Sequence, residues 1–79
     1  MTTHMTTLST RAKVRGQWVE QGRPVRIRDH GADRSRKFRF SSARVSPSGE
    51  TLVINVVDTR TGGMRSFDPA RVTRVPRKF

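Results

Sequence analysis

Phe38-Arg39-Phe40-Ser41-Ser42-Ala43-Arg44-Val45 decides the fold class. Phe38 and Phe40 flank Arg39 with the period of two that marks a strand buried on one face. Ala43 and Val45 continue the alternation with opposite parity, so a straight strand would send the two pairs to opposite faces. One extra residue near Ser41-Ser42, a β-bulge, returns both pairs to one face and bends the strand. Bends of this kind curve a sheet toward closure.

Downstream, Ser46-Pro47-Ser48-Gly49 reads as a hairpin loop. Pro47 presets φ for a type I turn, and Gly49 accepts the positive φ that follows. Thr51-Leu52-Val53-Ile54-Asn55-Val56-Val57 is a strand by its β-branched density. Leu52, Ile54 and Val56 share its more apolar face. Thr59-Arg60-Thr61-Gly62-Gly63 turns the chain into a short strand, Met64-Arg65-Ser66-Phe67. Asp68-Pro69 has the form of an N-cap followed by a first-turn proline. Only a single 3₁₀ turn fits before Val72-Thr73-Arg74-Val75 extends again.

Upstream, Val25-Arg26-Ile27-Arg28 alternates apolar and charged residues. Asp29 to Asp33 is a loop. Strand signals begin at Arg11, and a segment ending at Trp18-Val19 is followed by a turn at Glu20-Gln21-Gly22. Met1 to Thr10 has no periodicity and is expected to be a disordered leader. Its His4-Met5 pair reads either as a cloning remnant, with natural translation beginning at Met5, or as natural sequence.

No apolar spacing sustains a long helix. The expectation is an all-β domain over 11–79, with strands near 24–28, 37–46, 50–58, 63–67 and 72–75. Five short strands with a 3₁₀ turn before the last suit a small SH3-like barrel. The predicted core is Val25, Ile27, Phe38, Phe40, Val45, Leu52, Ile54, Val56, Met64, Phe67, Val72 and Val75. Leu, Ile, Val and Phe make up about 22% of the 79 residues, just above the floor of roughly 20% for a folded, highly charged chain. Such a core is marginal, and self-association or a bound polyanion would help it.

Arg65-Ser66-Phe67-Asp68-Pro69-Ala70-Arg71-Val72, preceded by the bent hairpin from Phe38 to Asp58, resembles a group of small basic SH3-like proteins encoded by actinobacteria and their phages. These share a short strand ending R-S/T-F, then x-P-x-R-V. The resemblance covers about residues 36–75. It implies the fold and a phage or actinobacterial source, and no catalytic residue.

Composition excludes several function classes. With no cysteine there is no disulfide framework, thiolate zinc site or thiol nucleophile. No apolar run approaches a membrane span, and Met1 to Ser9 lacks the apolar region of a signal peptide. A cytoplasmic location is expected, the host cytoplasm if the chain is phage-encoded. Asp29, His30 and Asp33 form the only candidate metal or acid–base cluster, but Arg34, Arg36 and Lys37 beside them oppose a cation. A polar loop with local ion pairs is the better reading, so no metal or cofactor is expected. There is no G-x-S-x-G and no phosphate-loop pattern, and no enzymatic activity is expected.

Charge is the informative feature: 17 Lys and Arg against 6 Asp and Glu give +11. Arginine dominates the basic set. That bias reads either as bidentate anion contacts or, with more weight, as the codon preference of a GC-rich genome. Basic residues concentrate in 11–28, 34–39 and 71–79. In an SH3-like barrel the first, second and last strands are neighbours, which would merge these clusters into one face able to attract a polyanion. The expected contributors are Arg26, Arg28, Arg34, Arg36, Lys37, Arg39, Arg74, Arg77 and Lys78. Trp18 either stacks a base or caps an open end of the barrel, with the cap favoured. The leading expectation is a non-enzymatic module binding nucleic acid phosphates with low sequence preference. The alternative is a protein-binding module, such as a phage-encoded modulator docking an acidic surface of a host protein.

Overall fold

A computed structural model describes residues 6–28 and 35–76, with the backbone alone at 35 and 36. The described chain is all-β. Its strands are β1 (Thr7–Ser9), β2 (Arg11–Val14), β3 (Gln17–Glu20), β4 (Pro24–Arg28), β5 (Ser35–Val45), β6 (Thr51–Asp58), β7 (Met64–Phe67) and β8 (Val72–Arg74), with a 3₁₀ turn at Pro69–Arg71. All pairings are antiparallel. The larger sheet runs β7-β6-β5-β4-β8, and β1 also pairs with β5; β2 and β3 form a separate hairpin.

The long strand β5 organises the molecule. Phe40 pairs with Val56 and Ser42 with Asn55, so Ser41 is the extra residue of a bulge. Phe38, Phe40 and Ala43 are consequently all buried, as the parity change in the sequence requires. Along its other edge, β5 pairs first with β4 and then, past the bulge, with β1. Between them Gly22 donates to the Phe40 carbonyl and Phe40 to that of Arg23, at 2.7 and 2.8 Å. The β2–β3 hairpin therefore leaves the lane between β1 and β4 and folds back over the core.

That hairpin turns on Arg15-Gly16, with φ of 49° and 74°. Two positive φ values at a two-residue turn match the right-handed twist of paired strands. Its inner face contributes Ala12, Val14 and Val19 to the same apolar cluster as Val25, Ile27, Phe38, Phe40, Ala43, Ile54, Val56, Phe67, Val72 and Val75. Thr51 Oγ1 donates to the Lys13 carbonyl at 2.8 Å, and Arg15 Nη1 to that of Val72 at 3.0 Å. These bonds tie the hairpin to the starts of β6 and β8.

The expected five strands, three of the expected core residues and the expected leader are corrected. Strands at Thr7–Ser9, Arg11–Val14 and Gln17–Glu20 bring the number among the described residues to eight. Leu52 is 39% exposed: Arg44 pairs with Val53 but Val45 with Thr51, so Leu52 is itself a bulge residue displaced from the core face. Met64 is 64% exposed because it opposes Val57 while Phe67 opposes Ile54, and residues three apart on a regular strand face opposite ways. Val45 is half-buried against the core rather than within it. The leader is not disordered throughout, since Thr7, Leu8 and Ser9 pair with Val45, Arg44 and Ala43; residues 1–5 lie outside the described residues. The loop signals hold: Gly49 has φ 90°, and Asp68 caps the 3₁₀ turn by accepting from the Ala70 N–H at 2.8 Å. No helix among the described residues is long and apolar enough to cross a membrane.

Candidate functional site

β4 presents Val25 and Ile27 to the core and Arg26 and Arg28 to the opposite, exposed face. Register then decides which cations meet there. Arg26 opposes Lys37 on β5 and Arg74 on β8. The contact with Arg74 depends on a second irregularity. Val72 pairs with Ile27, and the extra residue Thr73 shifts the register so that Arg74 falls opposite Arg26. Arg74, Arg26 and Lys37 thus lie abreast across three neighbouring strands, all exposed. Directly opposed residues on adjacent strands have Cβ atoms only ~4.5–5.5 Å apart, and like charges so placed repel.

No ion pair relieves this row among the described residues. Glu20 lies 4.0 Å from Arg11 on the hairpin, Asp68 caps the 3₁₀ turn, and Asp58 is buried and accepts from the Arg60 N–H at 2.8 Å. Glu50 sits beside the β5–β6 turn.

Two further cations flank the row. Arg28 is exposed on the same face two residues along β4. Arg39 opposes Pro24 on that face, with its Nη1 donating to the Gly22 carbonyl at 2.9 Å. Of the remaining predicted contributors, Arg36 does not join this set. Arg36 opposes Ile27, so its register position shares the parity of Phe38 and Phe40, not that of Lys37 and Arg39. Arg34, Arg77 and Lys78 lie outside the described residues, as do Asp29, His30 and Asp33.

Other arginines hold the fold. Arg23 donates through Nε and Nη2 to the Pro76 carbonyl at 3.3 and 3.2 Å. Arg71 Nε donates to the Arg28 carbonyl at 3.0 Å, and Arg15 reaches Val72 as described. Hydrogen bonds from a charged donor of this sort contribute more than neutral ones.

Trp18 is not a cap. It is 56% exposed on the outer face of the hairpin, while its neighbour Val19 is fully buried. Lys13 is its cross-strand partner, and the Arg11 guanidinium lies 4.5 Å from its ring centroid. The alternation Arg11-Ala12-Lys13-Val14, followed closely by Gly16, is the signal that marks this hairpin in the sequence.

Comparison with protein families, with curated proteins and with solved structures finds no match to the chain.

Proposed function

We propose that this chain is a non-enzymatic, SH3-like barrel module that binds nucleic acid through its phosphates with little sequence preference. The β8-β4-β5 adjacency and the 3₁₀ turn before β8 are those expected of such a barrel. The observation that carries the functional reading is the row Arg74–Arg26–Lys37. Three exposed cations held abreast, with no acid paired to them among the described residues, repel one another, and a polyanion turns that repulsion into attraction by displacing its own counterions. Rigid strands fix the row in advance. Contacts of this type position a phosphate backbone but read no bases.

The test is a salt titration with a short labelled duplex of mixed sequence. Between ~50 and ~200 mM salt, log K against log salt should fall with a slope of about −3 to −4.5, as expected for some three to five neutralised phosphates. Duplexes of different sequence should bind alike. A flat line, or no binding at ~50 mM salt, contradicts the proposal.

A second reading, an acidic surface of a host protein as partner, draws on Met64. This exposed side chain opposes Val57, which in turn opposes Arg39 on the face that bears the row. Apolar surface beside cations suits a protein interface. Capture of an acidic protein that survives nuclease treatment and moderate salt would favour this reading.

A further inference from the structure

Away from the basic row, the hairpin and the β5–β6 turn enclose a cleft of about 380 Å³. Trp18 forms one wall and Pro47 another; Ala12 and Val45 supply apolar surface between them, and Arg11 and Lys13 bring two cations. No acidic residue lines the cleft among the described residues. Its size falls within the range of small-ligand sites.

We infer that this cleft is a single-strand subsite, which stacks one unpaired base against Trp18 while Arg11 and Lys13 meet the flanking phosphates. The inference rests on the nucleic-acid reading for the identity of the ligand but uses none of the residues of the basic row. An indole left more than half exposed offers a π-face that every base can use. It also exposes apolar area that the protein would otherwise bury. Lys13 is held beside the ring by strand register, and its carbonyl is fixed by the bond from Thr51. Arg11 sits over the ring at 4.5 Å. Glu20 lies 4.0 Å from Arg11 but outside the lining of the cleft, so aromatic surface and positive charge match a nucleotide better than an acidic or purely apolar ligand. A paired base is hidden within its stack, so the cleft acts only on single strands.

The chain has one tryptophan and no tyrosine, so its intrinsic emission reports this cleft alone. A short oligothymidylate should quench the emission saturably, whereas a duplex should bind without quenching. Trp18→Ala should weaken oligothymidylate binding about 5- to 100-fold while leaving duplex affinity and its salt slope unchanged. Trp18→Phe should restore most of the loss. Both variants should keep the parent melting temperature, because the side chain is exposed. If labelled oligothymidylate binds with no change in emission, and Trp18→Ala binds it as tightly, the subsite is refuted while the basic row stands. Quenching by a proline-rich peptide but not by oligothymidylate would make this a peptide site and overturn the inference. Should neither single strand nor duplex bind, the inference falls together with the reading on which it rests.

Discussion

Two regions of the molecule use the same residue type in opposite ways. Along the seam where the hairpin and the C-terminal segment meet the sheet, Arg15, Arg23 and Arg71 aim their N–H groups at backbone carbonyls of Val72, Pro76 and Arg28. On the outer face of β8-β4-β5, Arg74 and Arg26 stand beside Lys37, with no acceptor among the described residues. The seam arginines satisfy backbone carbonyls at or near the ends of β4 and β8. The row satisfies no acceptor among the described residues, and its members oppose one another. Net charge alone does not separate these uses, whereas bonding pattern and register do.

The largest effect that sharpens the contrast is in the core beneath both regions. Ile54 is fully buried and opposes both Ala43 and Phe67. Ile54→Ala should cost about 2–5 kcal/mol in a denaturant titration, through lost burial and a residual cavity. A loss below ~0.5 kcal/mol, the level of a neutral surface change, would show that the two regions do not share this core.

Next comes the seam. Arg23→Ala should destabilise by about 1.5–3 kcal/mol by removing charged donors from the Pro76 carbonyl. Arg23→Lys should recover only part of this, since an ammonium cannot reproduce the guanidinium fork. Full recovery by lysine would mean that charge, not geometry, acts at the seam.

Removing residues 1–9 should lower stability by about 1 kcal/mol, because the β1 bonds to β5 are lost while little apolar area is exposed. Unchanged thermal unfolding would show that β1 adds nothing to the sheet.

The smallest effect has the opposite sign. Arg26 stands between two like charges, so Arg26→Thr should raise stability by about 0.2–1 kcal/mol at low salt. The gain should shrink near 1 M salt, where screening reaches ~3 Å. A loss at low salt would show that the row is not under mutual repulsion.

These contrasts also explain how much was legible in the sequence. The strands from Val25 onward follow from alternation and turn chemistry, and the parity change between Phe40 and Ala43 marks the bulge. Leu52 and Thr73 were not legible as bulge residues. Each lies in a run whose parity looks unbroken, and only the partner strand reveals the extra residue. The early hairpin was only partly legible, as strand alternation from Arg11 without a recognisable turn. Its turn is Arg15-Gly16, where the usual signal is Asn or Asp before Gly, and its buried side chains are small. Arg26, Lys37 and Arg74 could be named from the sequence as outward cations on neighbouring strands. Their alignment in one row could not, because it depends on the shift at Thr73. The seam arginines carried no sequence signal, since their acceptors are backbone carbonyls far along the chain.

The central claim is that the row, not the total charge, binds phosphates. The most direct measurement compares the salt dependence of duplex binding for the parent, the triple variant Arg26→Ala/Lys37→Ala/Arg74→Ala, and the single variants Arg15→Ala and Arg23→Ala, all under conditions where each is folded. The triple variant should flatten the log K against log salt slope by about 2 to 3 units, while the seam variants should keep the parent slope. A triple variant with the parent slope, or seam variants that flatten it as much per charge removed, would contradict the account.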